Sequence, residues 1–195
     1  DVCSSDLAAG SLVRIAPDFS RVEVVATGFR NPYDFDFNDR GDVFTYDSDC
    51  ERDYFLPWYS PCRLYHVALG RHHGWRLPSF QRSLRVPDYM PETVPALADM
   101  GRGSPTGVLC YRAGNFPKRY HGGLFVCDWT FGTIYALQLQ PAGSTYAVTK
   151  EQFLSRTPLP LTDAVVGDDG AMYFTVGGRG GQSELYRVRY TGSEP

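Results

Sequence analysis

The sequence predicts an all-β chain of β-propeller type, made of antiparallel four-stranded blades, and three observations carry that expectation. A hairpin recurs without a gap: Asp163-Ala-Val-Val-Gly-Asp-Asp-Gly170-Ala-Met-Tyr-Phe matches Asp34-Phe-Asp-Phe-Asn-Asp-Arg-Gly41-Asp-Val-Phe-Thr, so polar start, apolar strand, turn glycine and return strand coincide. A further strand follows each hairpin, at Leu64-Tyr-His-Val67, Ile134-Tyr-Ala-Leu137 and Leu185-Tyr-Arg-Val188, with Leu12-Val-Arg-Ile15 as the tail of an earlier unit. These strands begin 52, 70 and 51 residues apart, which suits a blade repeat with an insertion of about 19 residues in the middle unit. The third observation is composition: 13 Tyr, 12 Phe, 20 Gly and 14 Pro describe many short strands joined by tight turns, with little helix.

Taken in order, residues 1–9 match no blade and resemble translated sequencing-adapter read-through, so they are set aside as non-native, Cys3 with them. Residues 10–195 form the propeller part. Two strands, Ser11 to Ile15 and Arg21 to Ala26, flank the turn Ala16-Pro17-Asp18-Phe19-Ser20 and finish one blade. The turn Arg30-Asn31-Pro32 follows, because Pro fixes its own φ and pushes Asn31 toward an extended conformation. Asp34-Phe35-Asp36-Phe37 alternates at period two, Asn38-Asp39-Arg40-Gly41 reads as a hairpin turn, and Val43-Phe44-Thr45-Tyr46 returns. A longer hairpin joins Gly107 to Tyr111 with Gly123 to Asp128. Three blades and a tail are too few to close a ring and leave open sheet edges, which predicts that the chain is the C-terminal piece of a longer propeller whose N-terminal blades lie elsewhere.

The net charge of −3 and a pI near 5.8 argue against a nucleic-acid partner, whose phosphates require a basic face. No run approaches 18 apolar residues, so no transmembrane helix is expected. An exported chain would permit pairing of Cys50 with Cys62 or Cys110 with Cys127, but Cys110 and Cys127 fall in apolar strand patterns and read as buried free thiols.

Candidate chemistry concentrates after the first complete hairpin. Asp47, Asp49, Glu51 and Asp53 alternate in a loop, a density that suggests a hard cation. The aromatic loop Tyr54-Phe-Leu-Pro-Trp-Tyr-Ser-Pro61 comes next. From Tyr54 to Pro87 there is no acid, while Arg63, Arg71, Arg76, Arg82 and Arg85 appear; they make either a cationic floor for an anionic ligand or a solvated face. His72 and His73 are adjacent on an extended segment and point to opposite faces, so they do not share a metal. His66 reads as a structural strand residue and His121 as a solvated turn residue. Gly177-Gly-Arg-Gly-Gly181 lacks the strand, helix and lysine of a phosphate loop and reads as the flexible end of the last blade.

The run Gly28-Phe-Arg-Asn-Pro32, its hairpin and acidic loop, Leu-Tyr-His-Val67 with Gly74-Trp75, Leu-Phe-Val-Cys-Asp-Trp129 and Leu-Tyr-Arg-Val188 together resemble the glucose/sorbosone dehydrogenase family. That resemblance implies a six-bladed propeller that binds pyrroloquinoline quinone (PQQ) and calcium and oxidises a sugar or related alcohol or aldehyde in the periplasm or outside the cell. It places Arg30 and Asn31 against the quinone and has Asp47, Ser48, Asp49 and Cys50 offer backbone carbonyls to calcium. It assigns no catalytic residue to this chain, since the family's histidine belongs to a blade upstream of Leu12. The sequence departs from the family where a lysine and two arginines are expected, carrying Thr130, Pro160 and Thr162 instead. Two other readings accompany the oxidoreductase: a non-catalytic propeller binding a carbohydrate or protein through Trp58, Tyr59, Trp75 and Trp129, and a metal-dependent lactonase-like hydrolase. The alternative to sugar stacking for Trp75 and Trp129 is core packing between blades.

Overall fold

The computed structural model describes residues 10–76 and 84–193, with Arg76 and Leu84 described by backbone alone. Residues 1–9 and Arg82 lie outside the described residues. Fifteen strands and two short 3-10 turns, Glu51–Asp53 and Lys118–Tyr120, make up its regular structure, and no α-helix occurs among the described residues.

The strands fall into successive antiparallel sheets. β1 (Leu12–Ile15) pairs with β2 (Val22–Ala26). A four-stranded blade follows, β3 (Phe35–Phe37), β4 (Val43–Asp47), β5 (Cys62–His66) and β8 (Ala98–Gly101), in that spatial order. Between its last two strands a small ribbon, β6 (Trp75–Arg76) with β7 (Leu84–Arg85), carries the insertion that lengthens the middle repeat. The next blade runs β9 (Pro105–Cys110), β10 (Leu124–Asp128), β11 (Thr133–Ala142) and β12 (Thr145–Ser155). The last sheet is β13 (Leu161–Val166), β14 (Met172–Gly178) and β15 (Gly181–Val188). The hairpin turns predicted from sequence are in place, with Gly41 and Gly170 at φ +82° and +73°, values at which a side chain would be strained.

The blades are held face to face by apolar side chains. All residues of β4, β9 and β10 are buried, because these strands have a blade on each side. Phe44, Tyr46, Leu64 and Met100 pack on Val108, Leu124, Val126 and Leu137 between the second and third sheets. Leu109, Phe125 and Ile134 pack on Leu161, Met172 and Phe174 between the third and fourth. Each such side chain contributes about 1.5–3 kcal/mol relative to exposure, and this burial rather than any single polar contact holds the array together.

The alternation of β3 is real, but its faces are the reverse of an ordinary core strand. Phe35 and Phe37 are each 46% exposed, and the acids turn inward to the next blade. Asp34 Oδ2 accepts a hydrogen bond from the Val108 amide (2.8 Å) and Asp36 Oδ2 one from the Cys110 amide (2.7 Å). The innermost strand of one blade thus satisfies donors of its neighbour.

Three sequence expectations are settled by packing. Cys50, Cys62, Cys110 and Cys127 are all free thiols, and the last three are buried. Of the arginines from Tyr54 to Pro87 whose side chains are described, none is left to a cationic floor: Arg63 and Arg85 both close on Asp88 (3.0 and 2.9 Å), and Arg71 donates to the Pro91 carbonyl (2.9 Å). Asp88, which pairs with Arg63 and Arg85, lies one residue past the acid-free stretch. The glycine run 177–181 is the hairpin between β14 and β15, paired across Gly178 and Gly181.

Candidate active-site cleft

Chain direction fixes where chemistry gathers. The second strand of each blade, β4, β10 and β14, ends at the same face, so the loops that follow converge there with the segments that enter β3, β9 and β13. They enclose a cleft of about 640 Å³ whose walls include Arg30, Asn31, Ser48, Asp49 and Glu51 on one side and Arg102, Trp129, Thr130, Thr162 and Arg179 on the other.

Arg30 and Asn31 are positioned by their backbone. Gly28 turns the chain at φ +83°, and a Cβ there would meet the His72 ring and the His73 amide at 2.6 Å. The buried carboxylate of Asp47, at the end of β4, then accepts the Arg30 amide (2.7 Å) through Oδ2 and the Asn31 amide (2.7 Å) and its own Ser48 amide (2.9 Å) through Oδ1. Burial pushes the Asp47 carboxyl up from its ordinary range, with the three amides pulling the other way. The Arg30 guanidinium donates to Ser48 Oγ (2.7 Å) and Glu51 Oε2 (3.0 Å) and lies 5.6 Å from the centroid of Trp75.

These contacts bear on the acidic loop. Asp47 and Ser48 serve Arg30 and Asn31, the buried Asp49 accepts the Tyr59 hydroxyl, and Glu51 pairs with Arg30. Among the described residues no group of three or more His, Cys, Asp or Glu side chains is arranged to hold a metal ion. Alternation along the loop therefore does not become a carboxylate cage. The Cys50 carbonyl already accepts the Asp53 amide (2.9 Å).

The opposite wall repeats the device. Asp128 ends β10 as Asp47 ends β4, is buried, and its Oδ1 accepts the amides of Thr130 (2.8 Å), Phe131 (3.0 Å) and Ser104 (3.3 Å). Its Oδ2 is buried with no hydrogen-bond partner, and burial pushes the carboxyl up. Trp129 is half-buried, its indole N–H donating to the Gly177 carbonyl (2.7 Å). Of the four aromatics considered for sugar stacking, Trp129 is the one that lines the cleft.

Where cationic groups are expected by resemblance, Thr130 and Thr162 line the cleft and Pro160 does not. Two cations that sequence reasoning missed stand in the same wall. Arg102 lies over the Tyr54 ring (4.1 Å) and Arg179 over Trp129 (4.9 Å). For Arg179 a signal existed, since it interrupts a run of four glycines; Arg102, between Gly101 and Gly103, gave none.

None of the four histidines lines the cleft. His66 stacks on Phe44 and contacts Thr145 Oγ1 (3.1 Å), as expected of a structural strand residue. His121, placed in a solvated turn, is exposed and also contacts the Phe116 carbonyl (2.7 Å). His72 and His73 do face apart: His73 is fully buried against Phe29 (4.4 Å), and burial holds its pKa down at about 4.

No protein-family model matches the sequence, and no curated protein matches it. Solved structures do. A glucose dehydrogenase superposes on 93% of this chain and 54% of its own at 19% identity (TM-score 0.72). The PQQ-bound aldose sugar dehydrogenase of Streptomyces coelicolor covers 92% of this chain and 52% of its own at 15% identity (TM-score 0.66). The soluble aldose sugar dehydrogenase of Escherichia coli, in its apo form, covers 91% and 54% at 17% identity (TM-score 0.68). The chain spans about half the length of these structures, and over that span its fold is that of the sugar-dehydrogenase β-propeller.

Proposed function

We propose that the chain forms part of a PQQ-dependent oxidoreductase acting on a sugar or related alcohol or aldehyde, in the periplasm or outside the cell. The observation that carries this is the cleft: in a fold shared with a PQQ-bound aldose sugar dehydrogenase, the face where the loops converge is walled by three guanidinium groups, Arg30, Arg102 and Arg179, and by exposed aromatic rings. A flat, multiply carboxylated quinone matches that chemistry. Arg30 would hold a carboxylate through its N–H fork, with Asp47 fixing the backbone from which it and Asn31 project. When bound, the quinone supplies the two-electron acceptor that side chains lack.

Calcium fits this reading only through backbone oxygen. The carboxylates of Asp47, Asp49 and Glu51 are committed and Asp53, buried with its Oδ2 unpartnered, does not line the cleft, which leaves the carbonyls of Asp47 to Cys50 and the ligand's own oxygens as donors. None of the four histidines lines the cleft, so this reading assigns the chain no catalytic histidine. The test is an absorbance titration of the chain with PQQ in the presence of calcium. A saturable change is expected, and Arg30→Ala should abolish it. A spectrum that stays the sum of protein and free quinone at saturating concentration would sink the proposal.

A further inference from the structure

We infer that the loop Phe55-Leu56-Pro57-Trp58 is a docking tip for a lipid bilayer with anionic head groups. These four consecutive apolar residues are all exposed, Phe55 at 90% and Trp58 at 58%. Such a run on a protein surface is disfavoured unless something covers it. None of the four lines the cleft.

The loop is built to hold them outward. The Asp53 amide donates to the Cys50 carbonyl (2.9 Å), Leu56 to Asp53 (2.8 Å) and Tyr59 to Leu56 (3.0 Å), so overlapping turns fix the backbone. The residues on either side of the run anchor it. The Tyr59 hydroxyl donates to the buried Asp49, the rings of Tyr54 and Tyr59 meet edge to face (5.3 Å), and Arg102 lies over Tyr54 (4.1 Å). Phe55 itself has a φ of +76°, a left-handed value that glycine takes freely and a large side chain rarely takes. A ring kept at a strained position, and in water rather than in the core, is the pattern of a contact residue.

Shape and charge select the occupant. A side chain 90% exposed has neighbours on almost no side, so the tip is convex, and a convex apolar tip buries itself in a deformable phase without needing a matched groove. A sugar stacked on these rings would want hydrogen-bond partners beside them, and the side chains of Leu56 and Pro57 supply none. The exposed charge at the foot of the loop is positive. Arg52 is exposed and forms no ion pair among the described residues, Glu51 is paired with Arg30, Asp53 is buried, and no acid occurs from Tyr54 to Pro87. On a chain of net charge −3 this local excess favours anionic head groups, with the rings seated at the boundary between head group and acyl chain.

The experiment measures partition of the full chain onto vesicles of phosphatidylcholine, alone or with phosphatidylglycerol, by co-sedimentation and tryptophan emission. Phe55→Gly, Trp58→Ala and Arg52→Gln are compared with wild type, and because all three side chains are exposed, unchanged melting curves are expected. Wild type should bind the mixed vesicles with a blue shift that Trp58→Ala removes. Each ring substitution should weaken binding by at least about tenfold, the fold-change for burying one such ring. Arg52→Gln should weaken it by about fivefold on mixed vesicles and not at all on phosphatidylcholine. Absence of wild-type binding to the mixed vesicles, or binding indifferent to both ring substitutions, overturns the inference. A lipid-free dimer in sedimentation velocity that Phe55→Gly dissolves would assign the tip to a second copy of the chain and overturn it too. No readout involves the quinone, so the outcome is independent of the functional reading above.

Discussion

Asp47 and Asp128 show how a single side chain shapes this cleft. Each ends the second strand of its blade, is buried, and accepts amides both of the loop beyond and of the segment that enters the same blade, so a carboxylate takes the place of main-chain pairing where the sheet stops. Asp128 also carries a cost, since its Oδ2 has no partner and burial raises its pKa. A carboxyl whose folded pKa exceeds its unfolded value stabilises the protein while protonated, and that stability is lost as pH rises through the folded value. Asp128→Asn should therefore flatten the fall in stability with rising pH above about 4, by up to about 1.4 kcal/mol per pH unit for one proton. Urea midpoints of both proteins from pH 4 to 7 would show it, and parallel profiles would rule it out. His73 has the opposite sign. Its pKa is held down at about 4 by burial, so its contribution is complete above the ordinary imidazole range near 6.5 and is lost as pH falls toward 4. The difference corresponds to about 3 kcal/mol. His73→Phe, which preserves the stack on Phe29, should remove this acid sensitivity, and an unchanged acid limb in thermal unfolding would refute the assignment.

At the scale of elements, neighbouring blades are joined by polar contacts as well as by apolar faces. Asp34, just before β3, and Asp36 within it accept hydrogen bonds from the Val108 and Cys110 amides of β9, and Tyr146 on β12 reaches back to Asp42 and Asn38 of the preceding blade. Asp36→Ala leaves the Cys110 amide without its acceptor at the blade junction and should cost about 2 kcal/mol. Amide exchange of Cys110 should accelerate in that variant while Val108, held by Asp34, changes less; equal acceleration of both would mean that the strand opens as one unit. The Gly28 corner is the other junction that sets the cleft. Gly28→Ala combines a positive φ with a Cβ inside the His72 ring and His73 amide, and should lower stability by at least about 1–2 kcal/mol while displacing Arg30.

The whole molecule matters because no one sheet makes the cleft. Its arginines arrive from loops of separate sheets, so a ligand that binds them ties the array together. At a hundred times its dissociation constant such a ligand adds about 2.7 kcal/mol to the unfolding free energy. PQQ should raise the melting temperature of the wild type and leave the Arg102→Ala, Arg179→Gly double variant unmoved. Binding should weaken steeply with salt, because the contacts are between charges at a solvent-facing cleft. No helix among the described residues is long and apolar enough to cross a membrane.

The sequence by itself determined the propeller repeat, the turn glycines, the buried thiols and the corner Gly28-Phe-Arg-Asn-Pro32, because each is a local preference written in period, glycine placement or proline geometry. It did not announce β8 or β12, whose mixed polar runs Ala98–Gly101 and Thr145–Ser155 become strands by pairing with neighbours. Charge partners were equally hidden. Arg63 and Arg85 look unpaired along the chain and are neutralised by Asp88, and the acidic loop looks like a cation site until Asp47, Asp49 and Glu51 are seen bound to amides, to Tyr59 and to Arg30. Only the tertiary structure brings Arg102 and Arg179 to one cleft with Arg30, residues separated by about 70 positions each along the chain. The reason is physical: backbone preference acts between neighbours in sequence, while electrostatic complementarity acts between neighbours in space.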